Sequence, residues 1–131
     1  MKQSVMLTIT SLLSILFMTF HLADDILFGM SPPRFVNLFV VLVFVIWLYG
    51  TLVLGERRSG HIIMLVGSLL SMGMPVLHVM AAAGIFHGAI AAGSAAYVSV
   101  WTLHAMGVAG MFCFALAVRG LWGMRGGGSG K

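Results

Sequence analysis

The sequence predicts an all-α membrane protein, a bundle of four transmembrane helices, and three observations carry that prediction. Of the 131 residues, 60% are hydrophobic and only 8% are charged, against roughly 25% charged residues in an average soluble domain. The charges are also confined, because none falls within 3–23, 35–55 or 59–118. Each of the first two stretches has the length of one bilayer crossing, about 20 residues, and the third has room for two.

The positions of the four helices follow from these uncharged stretches and from the points where the chain has to turn. A single helix over 59–118 would be about 90 Å long, far beyond a hydrocarbon core of about 30 Å, so this stretch has to turn. The small residues of 81–93 favour a turn there. The helices are therefore expected at about 4–24, 34–56, 60–84 and 92–119.

The two ends of the chain need separate treatment. Lys2 before an apolar run also resembles the start of a signal peptide, but the bulky His21 three positions before a cut after Ala23 argues against cleavage. We expect a retained membrane anchor. Residues 1–124 are expected to form one domain, followed by a flexible glycine-rich tail over 125–131.

Positive charge predicts the orientation. With four crossings, one side carries six of the seven Lys and Arg residues, and the other side carries only Arg34. The six are Lys2, Arg57, Arg58, Arg119, Arg125 and Lys131. Because cytoplasmic loops retain excess Lys and Arg, both termini are expected in the cytoplasm and the chain in the inner membrane.

The net charge of +4 is spread over several helix ends rather than gathered in one patch. This pattern argues against nucleic acid as a partner and favours lipid headgroups. Trp47, Tyr49 and Trp122 are expected near the inner interface, where amphipathic aromatic residues concentrate.

Small residues predict where helices approach closely. Helix four repeats them at every fourth position, at Ala105, Ala109, Cys113 and Ala117, which makes a shallow groove for a neighbouring helix. That neighbour belongs either to this chain or to another subunit or copy. Cys113 is the single cysteine, so an intrachain disulfide is impossible.

Three histidines are candidate ligands. His104 is expected near the membrane midplane, where polar groups are costly and usually functional; the alternative is an imidazole bonded to Ser or Thr of a neighbouring helix. His78 follows Met74 by one turn and Pro75 by three residues, an arrangement suited to a soft metal or haem. His21 falls on a polar stripe of helix one that should face protein.

Acidic residues and methionines supply weaker signals. Asp24 and Asp25, with His21, form a predicted polar cluster on the outer side, where a carboxylate orients the imidazole or the acids simply end the helix. Glu56, Arg57 and Arg58 form the inner loop, a solvated turn or a contact with a partner. Eleven methionines suggest Cu(I), but they are spread along the chain without a tight cluster.

Three segments resemble those of small four-span bacterial integral membrane proteins. These are His21-Leu-Ala-Asp-Asp, the stretch from Trp47 to Gly60 and Arg119-Gly-Leu-Trp. The resemblance covers most of the chain and implies the four-span fold, but it brings no activity with it. It draws attention to the Asp pair and to the Glu-Arg-Arg loop. The chain lacks the helix-one glutamate of small multidrug exporters and the paired cysteines of mercury carriers and disulfide-generating proteins.

Three functions stay open from the sequence. The first is an accessory or assembly subunit of a larger membrane complex without catalysis of its own, since no Ser-His-Asp set or phosphate loop is present. The second is an electron-transfer anchor that binds haem b or quinone through His78 and His104, or through His21 with one of these. The third is a small solute or metal transporter, for which we expect an oligomer.

Overall fold

The computed structural model describes residues 3–27, 34–82 and 94–126, and within them the chain is helical apart from the turn over 53–57. Four α-helices follow one another: α1 over Gln3–Leu27, α2 over Arg34–Leu52, α3 over Arg58–Ala82 and α4 over Ser94–Gly126. The predicted helical bundle is confirmed. Most of the predicted turn over 81–93 lies outside the described residues.

Three of the helices are long and apolar enough to cross a membrane: Gln3–Leu27, Arg58–His78 and Val100–Arg125. The apolar part of α2, Asn37–Leu52, is shorter. The composition that predicted a membrane protein is therefore matched by helices of suitable length, with α2 as the least extended of the four.

Three helix ends differ from the expected positions. α4 continues past Arg119 to Gly126, so Arg119 does not end the helix and the first two residues of the predicted tail over 125–131 are helical. α2 ends at Leu52 rather than near 56, because the Val53 and Leu54 amides both return to the Tyr49 carbonyl and the Arg57 amide then donates to the Leu54 carbonyl. α1 continues through Asp24 and Asp25 to Leu27. The two acids therefore lie within the helix and do not end it.

Consecutive helices run in opposite directions. The Gln3 side chain donates to the Leu116 carbonyl at 3.3 Å, and a Cβ on Gly120 would meet the His61 ring. The beginnings of α1 and α3 therefore lie beside the end of α4. We call this the turn end of the bundle, because it also contains the α2–α3 turn, and we call the opposite end the histidine end.

The small-residue row of α4 packs inside this chain. Ala109, Cys113 and Ala117 are buried, and the Cys113 thiol approaches the Met64 carbonyl of α3 at 3.9 Å. Of the two possibilities that the sequence left open, contact within the chain accounts for these three residues, while Ala105 is half-buried.

The prediction that Trp47 lies at the inner membrane interface is wrong, because the ring is buried between helices. It is 1% exposed, and a Cβ on Gly67 of α3 would collide with its indole. A glycine at that position lets the ring pack directly against the α3 backbone. Tyr49 and Trp122, the other two predicted interface aromatics, are exposed.

Candidate functional site

The candidate site lies at the histidine end, where α1 and α3 bring together His21, Asp25 and His78. One potential ligand atom from each of the three lies within 4.8 Å of the other two. We call these three residues the histidine cluster. It is about 27 Å along α1 from Gln3 and about 30 Å along α3 from Arg58, so the two helices deliver their histidines to the same level.

His21 is almost fully enclosed. Its side chain is on the buried face of α1 with Ser11, Ser14 and Met18, and it is 2% exposed. The predicted polar stripe therefore does face protein at Ser14 and His21. Among the described residues neither ring nitrogen of His21 has a hydrogen-bond partner, an arrangement that costs about 1–3 kcal/mol for a buried polar group.

His78 is oriented by its own helix. Its Nδ1 lies 3.0 Å from the Met74 carbonyl one turn earlier, and a carbonyl only accepts, so Nδ1 carries the proton. The Nε2 lone pair is then available to a ligand. A backbone carbonyl that holds the second nitrogen of an imidazole in this way is the usual companion of a metal-binding histidine.

The two histidine rings touch. Their centroids are 4.7 Å apart and the ring planes meet at 69°, an edge-to-face contact. Both helices present the ring on the face that they turn to each other. The sequence did not pair these two residues specifically, although the polar stripe of α1 indicated that His21 faces a neighbour.

Asp25 completes the cluster, whereas Asp24 does not belong to it. The Asp25 carboxylate lies 3.7 Å from His21 Nε2, one turn along α1. This distance exceeds a hydrogen bond, so the two side chains are close without being joined. Asp25 is 18% exposed, so it is more open than the enclosed His21.

The cluster combines two imidazoles and one carboxylate, which are ligands of borderline and hard character. Haem held between His21 and His78 does not fit this geometry, because axial ligation by two imidazoles places a porphyrin plane between the rings. Rings in edge contact leave no room for it. The cluster therefore suits a single ion rather than a porphyrin.

His104 lies elsewhere. Its Nδ1 bonds the Val100 carbonyl of its own helix at 2.7 Å, and the side chain is exposed on the outer surface of the bundle. It neither joins the histidine cluster nor bonds a Ser or Thr of a neighbouring helix among the described residues. The three candidate histidines thus divide into a pair and a solitary residue.

The inner-loop residues border a hollow at the turn end. This hollow, of about 610 Å³, lies between the beginning of α1 and the α2–α3 turn, and Ser4, Thr8, Thr51, Glu56 and Arg57 contribute polar atoms to its wall. Glu56, Arg57 and Arg58 are all exposed. The hollow is open to the surroundings and contains charges of both signs.

Polar groups near the turn end are joined to one another. The Trp47 indole donates to Ser11 Oγ at 2.9 Å, Ser11 and Thr51 hydroxyls are 2.7 Å apart, and Thr51 donates to the Trp47 carbonyl at 2.9 Å. Since the Thr51 proton is used there, Ser11 donates to Thr51. We call Ser11, Trp47 and Thr51 the indole network.

No family model, curated protein sequence or solved structure matches this chain.

Proposed function

We propose that this chain crosses the inner membrane four times, with both termini in the cytoplasm, and serves as an accessory or assembly subunit of a larger membrane complex without catalysis of its own. The partners are other membrane subunits or further copies of the chain. The proposal rests mainly on one observation, the exposure of His104, and the topology that it needs has independent support.

The arrangement of the helices supports the topology. The turn end contains Arg57, Arg58 and Arg119, and the sequence adds Lys2, Arg125 and Lys131 next to the same helix ends. An excess of Lys and Arg at one end is typical of the cytoplasmic side. The apolar part of α2, Asn37–Leu52, extends about 24 Å, somewhat less than the hydrocarbon core of about 30 Å, and we assign it as the fourth crossing.

The depth of His104 makes its exposure significant. It lies about 22 Å along α4 from Arg119, and Arg119 marks the cytoplasmic headgroup level in this topology. His104 is then within the hydrocarbon core, which is about 30 Å thick. The isolated chain would direct an imidazole toward lipid tails at that depth.

Lipid is a poor environment for an imidazole. Ionisable side chains within transmembrane helices almost always face other helices or a water-filled cavity, and polar side chains that bond across helices contribute about 0.6–2 kcal/mol each. A transmembrane helix from another subunit would remove His104 from lipid. Trp101 and Val108, which are 75% and 48% exposed, extend the same face of α4.

The other two functions have less support from the geometry. A haem anchor through His21 and His78 conflicts with their ring contact, and His104 is on the opposite side of α4 from the buried row. Transport through one chain needs a polar path, whereas the described interior is filled by large side chains such as Trp47, Met64 and Met106.

In-membrane cross-linking tests the proposal. A photoreactive amino acid is placed at Trp101 or at Val108, next to His104, and at Val45 on the exposed face of α2 as a control. We expect adducts of one defined protein mass from positions 101 and 108 and little from position 45. His104→Leu in the same background should reduce the adduct yield several-fold, because the interhelical hydrogen bond is lost.

Two results would contradict the proposal. One is a native mass of a single chain in gently extracted membranes together with lipid adducts alone at 101 and 108. The other is equal protein adducts at all three positions, which would indicate random collisions rather than a face. Reporter fusions at both termini check the four crossings, and an extracytoplasmic signal at either terminus would refute the orientation.

A further inference from the structure

We infer that the histidine cluster is a binding site for one divalent first-row transition-metal ion, with Zn²⁺ as the foremost occupant. The inference concerns His21, Asp25 and His78 alone, and it stands whether or not the chain belongs to a larger complex. Four features of the cluster carry it: the set of donor atoms, their spacing, the orientation of His78 and the state of His21.

The donor atoms indicate the class of ion. Two imidazole nitrogens and one carboxylate oxygen are ligands that Zn²⁺, Co²⁺ and Ni²⁺ accept readily. Ca²⁺ and Mg²⁺ prefer oxygen throughout. One half-buried carboxylate beside two histidines therefore argues for a transition metal and against the alkaline-earth ions.

The spacing is close to what one ion requires. Tetrahedral ligands about 2.0–2.1 Å from zinc lie about 3.3 Å from one another. The three potential ligand atoms of the cluster are within 4.8 Å of one another. Rotation of the side chains by about an ångström at each ligand atom would bring them onto one ion, and the helices themselves would stay in place.

The orientation of His78 is already that of a ligand. Because the Met74 carbonyl holds the proton on Nδ1, the Nε2 lone pair needs no change of tautomer before it binds. The same bond limits rotation of the ring. This reduces the side-chain entropy that a ligand would otherwise lose on binding.

The state of His21 is the observation that a structural role does not explain. A buried histidine that only fills space would be expected to bond a hydroxyl or a carbonyl. His21 is 2% exposed, and among the described residues both of its ring nitrogens lack a partner. A metal ion bound to one of these nitrogens would offset the unfavourable free energy of burying it without a partner.

The ion would approach from the histidine end. Asp25 and His78 are both half-buried, while the interior toward the turn end begins with the buried Met18 and continues into the packed core. In the proposed topology this end faces away from the cytoplasm. Three protein ligands also leave coordination positions for water or for another donor.

Metal binding is tested on the full chain, purified in detergent or nanodiscs with an affinity tag that contains no histidine. The metal-free protein is titrated with Co²⁺, whose visible absorption reports coordination, and then with Zn²⁺ in competition. We expect one ion per chain with micromolar or tighter affinity. X-ray absorption at the zinc edge should show two imidazoles and at least one oxygen ligand.

Substitutions separate this site from adventitious binding by other histidines. His21→Gln and His78→Gln should each weaken binding by about 100-fold or more, and Asp25→Asn by about 10-fold or more. Asp24→Asn is the matched control, because it removes an equivalent carboxylate one position away and should leave the affinity unchanged. Circular dichroism and native mass establish that each variant is folded.

Three outcomes would contradict the inference. Binding that is weaker than about 100 μM in the native sequence, comparable to nonspecific surface histidines, would show that the cluster does not select a metal. Tight binding that survives both His21→Gln and His78→Gln would place the ion elsewhere in the chain. Equal losses in Asp24→Asn and Asp25→Asn would likewise refute the assignment of Asp25 as the carboxylate ligand.

Discussion

The two ends of the bundle treat their buried polar groups in opposite ways. At the turn end, the indole network joins Ser11, Trp47 and Thr51 so that every side-chain proton has an acceptor. At the histidine end, His21 is buried to the same degree, yet neither ring nitrogen has a partner among the described residues. Ser11 and His21 both lie on the buried face of α1, Ser11 toward the turn end and His21 toward the histidine end.

This difference separates structure from function. A polar group whose hydrogen bonds are complete within the protein contributes to packing and needs no ligand. A buried polar group without partners lowers stability, so its presence indicates a role that outweighs the cost. On this reasoning the indole network holds α1 to α2, and the histidine cluster binds a ligand, which we propose is a metal ion.

Trp47→Ala tests the turn end with the largest expected effect. The change removes a fully buried ring and its bond to Ser11, leaving a cavity between α2 and α3. Since lipid tails are as apolar as the core, packing rather than transfer from water is lost, and we expect the free energy of unfolding to fall by about 3 kcal/mol. Unfolding in a detergent titration measures it. A change below about 1 kcal/mol would mean that the network does not organise this end.

Gly67→Ala tests the packing of α3 against the same ring. The added methyl group would collide with the Trp47 indole, and such overpacking costs about 1–3 kcal/mol. Gly73→Ala in the same helix is the control, because nothing lies within 4 Å of the position that its Cβ would take. The control should be neutral or slightly stabilising. Equal destabilisation by both substitutions would show that glycine flexibility, and not the contact with Trp47, explains Gly67.

Ser11→Ala and His21→Leu should change the free energy of unfolding in opposite directions. Together they are therefore the most direct test of the difference between the two ends. Ser11→Ala leaves the Trp47 indole without an acceptor and should destabilise by about 1 kcal/mol. His21→Leu removes two unpartnered nitrogens and should stabilise the metal-free protein by about 1 kcal/mol. Both are measured by the same titration with a chelator present. Zn²⁺ should then stabilise the native sequence and leave His21→Leu unchanged; destabilisation by His21→Leu without metal would contradict the contrast.

His104→Leu has the smallest expected effect on the isolated chain. The residue is exposed, and among the described residues its side chain bonds only to its own helix, so the free energy of unfolding should change by less than about 0.5 kcal/mol. The substitution should instead lower the yield of cross-linked adducts within the membrane. A large drop in the stability of the isolated chain would indicate that His104 supports the bundle itself.

The sequence anticipated the helices well because membrane helices depend on long apolar runs and on charges that interrupt them. Three of the four predicted helices agree with spans that are long and apolar enough to cross a bilayer. The α2 end at Leu52 was missed because a backbone turn, rather than a charged residue, stops the helix. Trp47 was misplaced because an indole suits either an interface or a buried site that offers an acceptor.

The candidate site was anticipated only in its parts. His21, Asp25 and His78 were each singled out, but His21 was expected beside both acids, and its pairing with His78 was only one of several histidine pairs left open. Pairing across helices depends on the rotation of each helix about its axis, and α3 carries little amphipathic pattern from which to read that rotation. The small-residue row of α4 had the same ambiguity, since Ala109 and Ala117 suit any close neighbour.

What the sequence determined by itself is the number of helices, their approximate limits and the end at which positive charge collects, because these depend on composition along the chain. What only the tertiary structure decided is which faces meet. It brought His21 against His78, turned His104 outward and closed the hydroxyl bonds around Trp47. Those outcomes depend on packing among four helices at once, and no single helix contains that information.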